Sequence, residues 1–334
     1  MGEEATRLGM IFKEGKMKIL KRMILSALMT LTILVPLSVH SEEGGSGHYM
    51  PGATASFIDT LPGKPGLAVA NFFNYYSGNA SVSKQLPLGG LITAGLDARA
   101  YSDTVVALYQ TQLELMGGYY AIGLAIPYVW LETKGQITGP AGRTFSESDK
   151  AVGIGDITVY PFMLGWKNGD VKYDVRLGIY APTGDYDKGK LANVGKNYWT
   201  FEPAVSVSYI SSKIGLELTG FAGMDFNTKN DDTDYQTGDQ FHLDITAAEH
   251  LPLFGGIIGL GANGFYYQQV TGDSGSGAIL GDFKGRTEGI GPVVSYATKV
   301  WQKDLVAEVK WLPEMSVENR LKGDYIWFKM AILL

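Results

Sequence analysis

The sequence contains no cysteine. That excludes a disulfide framework, thiolate metal sites and cysteine nucleophiles. It also lacks basic excess, with 28 Lys+Arg against 34 Asp+Glu and a net charge of -6. A chain of this sign carries no footprint of a general nucleic-acid binder. Histidine is scarce, at four residues. Beyond residue 41 there is no apolar run of about 18 residues, so any membrane span there must be β. What the chain has in plenty is glycine and tyrosine, 44 and 19 in 334 residues. Typical glycine usage is about 7%, and this chain has nearly twice that. Apolar residues make up 45% of the chain, yet mean hydropathy is only +0.01. A β-rich class is favoured.

The amino terminus reads as an address. Met17–Arg22 is a short basic stretch, and Met23–Val39 is an apolar run interrupted by Pro36. This is the pattern of a signal peptide with cleavage near Ser41. Residues 1–16 add an extension without such logic, and Met17 is an alternative start. Removing residues 1–41 leaves 22 basic and 31 acidic side chains, a net charge of -9. Residues 42–61, rich in small side chains, are expected to form a periplasmic segment, with a plug inserted in the lumen as the open alternative. The remainder, 62–334, is expected to be the barrel described next.

The body alternates with period two, the signal of strands with one apolar face. Val171, Tyr173, Val175, Leu177 and Ile179 oppose Lys172, Asp174, Arg176 and Gly178. Phe241, Leu243, Ile245 and Ala247 oppose Gln240, His242, Asp244 and Thr246. The last strand alternates from Tyr325 and ends on Leu334 rather than an aromatic residue. Twelve strands are expected, near 66–77, 98–112, 117–131, 153–166, 171–181, 198–210, 214–226, 240–250, 257–270, 286–298, 304–312 and 323–334. Their connections alternate between short and long. Short turns on one side and long polar loops on the other predict an all-β transmembrane antiparallel barrel of the outer-membrane type. The expected location is the Gram-negative outer membrane. Its lipids would meet the apolar face, and the outer-membrane assembly machinery would insert it. Tyr75, Tyr76, Tyr119, Tyr120, Trp130, Tyr180, Trp199, Tyr266, Tyr267, Trp311 and Trp327 are expected in interfacial girdles.

Three motifs invite chemistry. Gly259–Gly264 matches G-x-G-x-x-G, but a strand-like segment follows where a dinucleotide site needs a helix. Gly272–Gly275 resembles a serine nucleophile loop, and Ser274 with His242 and Asp244 would make an outer-membrane hydrolase. Asn230–Asp234 offers oxygens for Ca²⁺ without EF-hand spacing. Composition explains each motif better, so neither a catalytic residue, a cofactor nor a metal ligand is assigned. The inward-facing charges are the functional candidates: Lys172, Asp174, Arg176, Glu202, Glu217, Asp244, Glu308, Lys310 and Lys329. Two roles are open to them, setting channel selectivity or pairing across neighbouring strands.

Several strings resemble one family, named for the meta-cleavage pathway of phenol degradation and also called SphA-like. They are Gly153–Asp156 with Pro161, Ala181–Tyr186, Asn197–Pro203, Tyr235–His242, Gly291–Tyr296 and Gly323–Tyr325. Gly47–Gly52 is similar to the start of its mature chains. The resemblance covers about 44–334. It implies an outer-membrane barrel that passes small hydrophobic or aromatic solutes, and no enzyme. It supplies no site residues. An alternative is a structural or adhesive barrel acting through its loops.

Overall fold

The computed structural model describes residues 46–61, 63–81, 83–138, 144–281 and 284–334. The expected signal peptide and extension lie outside the described residues. The elements are β1 (Gly66–Asn79), β2 (Gln85–Leu88), β3 (Leu91–Leu115), β4 (Gly118–Thr138), β5 (Thr144–Ile154), β6 (Ile157–Asn168) and β7 (Val171–Ala181). They continue with β8 (Thr200–Ile210), β9 (Leu216–Asn227), β10 (Gln240–Leu253), β11 (Gly256–Gln269), β12 (Arg286–Val300), β13 (Lys303–Glu318) and β14 (Lys322–Leu333). Among the described residues no helix is long and apolar enough to cross a membrane.

Every strand pairs antiparallel with its neighbours, and β14 pairs with β1, so the sheet closes. The closed barrel has twelve strands. The count follows because β5 and β6 share one stave. Both pair with β4, and the stave breaks at Gly155–Asp156. The short β2 forms a hairpin with the start of β3 and adds no stave. Closure leaves no edge within the twelve-strand wall, which a lipid environment demands; β2 and β5 each pair on one side only.

All twelve expected strands exist. Three expected long connections, 78–97, 132–152 and 313–322, hold strand instead, the first through β2 and the start of β3. β3 and β4 form a long hairpin to which β5 adds only from one side. The expected long connection 313–322 is mostly strand, because β13 runs through Pro313 to Glu318. The pairing of β12 with β13 shifts register at Glu288/Gly289. This irregularity lies beside Pro313, whose missing N–H has no place in a regular ladder.

Short turns need residues in the left-handed region, which matches the twist of the strands they join. Met116–Gly117, Phe254–Gly255 and Trp301–Gln302 all have positive φ at both positions. These turns, together with Gly66 and Leu333, mark one end of the barrel. The connections 182–199, 228–239 and 270–285 mark the other.

The pleat sorts the two faces as expected. In β8, Glu202, Ala204, Ser206 and Ser208 are buried, while Phe201, Val205 and Val207 are exposed. The girdle assignment needs correction. Trp130, Trp199 and Trp311 do face outward. Tyr76, Tyr180, Tyr267 and Trp327 turn inward, where they bond Glu314 (Tyr76), Glu202 (Tyr180) and Pro51 (Trp327) or pack in the core (Tyr267). Adjacent residues such as Tyr75–Tyr76 and Tyr266–Tyr267 cannot both face lipid, since a strand points them to opposite sides.

Candidate functional site: a lumen divided by the N-terminal segment

Residues 46–61, expected in the periplasm, run inside the barrel instead. Near the long-loop end, His48 places Nε2 2.9 Å from Asp156 and Nδ1 2.7 Å from Thr200. Its ring stacks on Tyr180. The chain then descends toward Gly66, where β1 begins at the short-turn end. Small residues let the backbone fit. Pro51, Gly52, Ala55 and Ser56 are all buried. The reason for the inward course is polar satisfaction, because the lumen side chains bond the backbone that the segment brings in.

Asp244 is the central anchor. It accepts hydrogen bonds from the Tyr49 hydroxyl, from Gly52 N at 3.3 Å, and from Thr54 N and Oγ1 at 3.2 and 3.1 Å. Lys310 donates to the carbonyls of Gly52 and Thr54, at 3.2 and 2.9 Å. Glu217 accepts from Phe57 N at 2.8 Å, and His250 lies 2.6 Å from its other oxygen. A single 3-10 turn follows, Phe57–Asp59, with Ser56 at its start. Asp59 meets Lys329 at 2.9 and 3.0 Å. Its carbonyl accepts from Arg176, whose guanidinium is held by Asp174 at 2.7 and 2.8 Å.

All nine charges from the sequence face the interior. Asp174, Glu202, Glu217, Asp244, Glu308, Lys310 and Lys329 are buried, and Lys172 and Arg176 are half-buried. The structure gives most of them a partner rather than a free face. Glu308 stands 3.3 Å from Lys310 and 3.6 Å from Lys329, a chain of alternating charge across β13 and β14. Glu202 accepts from Tyr180 and lies 3.1 Å from His242.

Beside the segment lies a cavity of about 1280 Å³. Of the nine charges only Lys172, Arg176 and Glu202 border it. Its opposite wall is small and mostly apolar, with the hydroxyls of Ser102, Thr104 and Thr133 set into it. β3 contributes Ala98, Ala100, Val106 and Leu108, and β4 contributes Ala125, Val129 and Leu131. The lining runs from Leu191 and Tyr198 at the long-loop end to Lys64 and Leu333 at the other. The lumen is thus divided. The face on β7–β14 is charged and carries the segment, while the face on β1–β4 is apolar and carries the cavity.

The hydrolase constellation does not assemble. Ser274 is exposed in a loop, with its backbone bridged to Gln236. His242 is fully buried against Glu202 and Asp225, and Asp244 is occupied by the segment. Gly259–Gly264 lies within β11, as a strand should. In the acidic loop, Asp234 is spent on Lys229 and on the hydroxyl and N–H of Ser276. The Lys229 ammonium, then Ser276, hold its carboxyl below the usual carboxylate range.

Sequence reasoning missed Tyr49 and Asp59, the segment's own contributions. It also missed Asp225, which joins Glu202 and His242 only through strand pairing. No ligand-type spacing along the chain signals these contacts.

Comparison with solved structures agrees with the topology. The chain is similar to the COG4313 outer membrane channel from Pseudomonas putida F1, at 13% identity and TM-score 0.57, over 86% of this chain and all of that one. The beta domain of the Bordetella autotransporter BrkA follows at 13% identity and TM-score 0.43, over 80% of this chain and 99% of that one. A Pseudomonas aeruginosa FadL homologue follows at 7% identity and TM-score 0.41, over 89% and 98%. The first likeness establishes the fold, and nothing rests on the other two. A search of curated proteins gave no match. A family model matches residues 70–330, the stretch from β1 to β14 whose inward and outward faces are set out above, and the chain therefore belongs to the family described as "Putative MetA-pathway of phenol degradation".

Proposed function

We propose that the protein is an outer-membrane channel for passive uptake of small hydrophobic or aromatic compounds. The observation that carries this reading is the apolar wall. A cavity of about 1280 Å³ holds a small aromatic molecule with room to spare. Against the β3–β4 wall such a solute loses water gradually to Ala, Val and Leu, while charges that also border the cavity, such as Arg176 and Glu202, are held by Asp174 and Tyr180. The family description, which points to phenol degradation, supports the same solute class. The charged half serves the segment, which narrows the lumen and leaves selection to the apolar side.

The test is solute flux into liposomes that carry the purified barrel. Phenol and small aromatic acids should enter faster than into empty liposomes. Ala125→Trp places an indole in the cavity wall and should cut that flux at least several-fold while the barrel stays folded. Flux that ignores the tryptophan would place the route elsewhere. No flux for any solute would favour a structural or adhesive role through the loops.

A further inference from the structure

We propose that Glu202, Asp225 and His242 form a binding site for a divalent first-row transition metal. The three come from adjacent strands, β8, β9 and β10. Asp225 pairs with Gln240, and Gly223 pairs with His242, so Asp225 and His242 share the inner face two residues apart. One ligand atom from each of the three lies within 4.8 Å of the others. His242 Nε2 is 3.1 Å from Glu202 Oε1 and 3.5 Å from Asp225 Oδ1. Ligands about 2.1 Å from one ion stand roughly 3.0 Å apart at octahedral angles and 3.4 Å apart at tetrahedral ones. The observed spacing is that of a first coordination sphere.

Three further observations point to an ion. The first is that Asp225 is 0% exposed, yet neither carboxylate oxygen has a hydrogen-bond partner. A fully buried carboxylate left so is costly and calls for a cation. The second is charge. The cluster sets two carboxylates against a single imidazole, and among the described residues no Lys or Arg pairs with either carboxylate. A divalent ion neutralises it. The third is the room made for the ring. A Cβ on Gly223 would lie 2.5 Å from His242 Cε1 and 2.6 Å from Nε2, so glycine is what lets the imidazole lie across β9 toward Glu202.

The surroundings are those of a built site. Tyr180 donates to the second oxygen of Glu202, at 2.8 Å, and orients it. Tyr49 of the inserted segment stacks on the His242 ring at 3.6 Å between centroids. Glu202 borders the cavity, which gives the ion a route and a water as a further ligand. One nitrogen and two carboxylates suit Zn²⁺, Mn²⁺, Fe²⁺ or Co²⁺ better than Ca²⁺, which prefers oxygen alone. The ion would tie three strands together directly beneath the segment's anchoring tyrosine.

The test uses the full barrel in detergent, stripped with a chelator and titrated with ZnCl₂ by calorimetry. One Zn²⁺ per barrel is expected. Asp225→Asn and His242→Gln should each weaken it by at least about tenfold, while Asp187→Asn in an exposed loop should not. Folding of each variant is checked by heat-modifiable gel migration. Anomalous diffraction from wild-type crystals soaked in ZnCl₂ gives a reading that needs no variant, with a peak bonded to His242 Nε2. The proposal fails if no saturable Zn²⁺ site exists, if stoichiometric binding survives His242→Gln, or if anomalous peaks lie only elsewhere. His242 would then be a protonated partner of two carboxylates.

Discussion

Removing Asp244 should release the inserted segment. Four hydrogen bonds from the segment end on this carboxylate, three of them from Gly52 and Thr54 at 3.1 to 3.3 Å. Asp244→Ala leaves the Gly52 and Thr54 amides without this acceptor inside the lumen, while the Tyr49 and Thr54 hydroxyls keep their mutual bond at 3.0 Å. Breaking a buried charged contact from one side typically costs ~3–5 kcal/mol. At about 1.4 kcal/mol per factor of ten, that raises the released population by roughly a hundred- to several-thousand-fold. The cavity alongside admits water to the stranded groups, so the lower figure is expected. The absence of native cysteine makes the assay clean. Ser56 is 0% exposed in the seated segment. In a Ser56→Cys background, a bulky maleimide reagent can reach the thiol only after release, so its labelling rate reports the released fraction when reseating is fast. Asp244→Ala should speed labelling about a hundredfold, and Asp244→Asn by less. Ser274→Cys, at an exposed position, serves as the unprotected reference. A folded Asp244→Ala barrel whose rate lies within threefold of its parent would refute the reasoning.

Three other outcomes are expected. Lys329→Met leaves Asp59 buried without its ammonium and should also raise labelling at the Ser56→Cys thiol, whereas Asp59→Leu combined with Lys329→Met should return it toward the parent, since apolar replacement of both partners is often neutral. Gly223→Ala overpacks against the His242 ring and should cost about 1–3 kcal/mol, read as a lower heat-unfolding midpoint on gels; an unchanged midpoint would show that the ring has space. The Asp234 clasp on Lys229 and Ser276 has a depressed carboxyl pKa, so its contribution is present above the unfolded value of about 3.9 and is lost as pH falls through the folded one. Protection of the Ser276 amide relative to a free peptide at the same pH should hold from pH 7 to 5 and fall only below about pH 4, and early loss of protection near pH 5 would contradict the assignment.

The strands were legible because a pleat imposes a period of two on every stave. Val171–Ile179 and Phe241–Ala247 state their lipid and lumen faces outright. The same rule, applied to neighbours, would have placed Tyr76 and Tyr267 inward. Pro313 misled for a physical reason. It normally ends ladder donation, yet β13 runs on through it, close to the register shift at Glu288/Gly289 on the facing strand. The inserted segment was only half legible, since its small residues left a plug and a periplasmic tail equally open. It has no periodicity, and its hold on the barrel consists of single contacts to residues far away in sequence. Lys329 and Asp59, for example, are separated by 270 positions.

That segment changes what an inward charge means. In an open pore, Asp244, Lys310 and Lys329 would face water and bias ions by their field. Here they bond the backbone and side chains of residues 52–59, so their charge is largely spent within the wall. A buried charge kept for positioning needs a partner of fixed geometry, and Asp59 and the Thr54 backbone supply it. The charges therefore cluster on the strands that bond the segment's polar groups, and β3 and β4, which meet the segment through the apolar side chain of Leu61, turn mainly alanine, valine and leucine toward the cavity. Alternation along a strand cannot reveal this division, because it separates lumen from lipid and not one side of the lumen from the other. On this reading the route for a solute is found by asking which inward faces lack charge. The answer falls on β3 and β4, whose inward residues from Ala98 to Leu108 and from Ala125 to Leu131 carry no charge, their only polar side chains being Ser102 and Thr104, which bond each other.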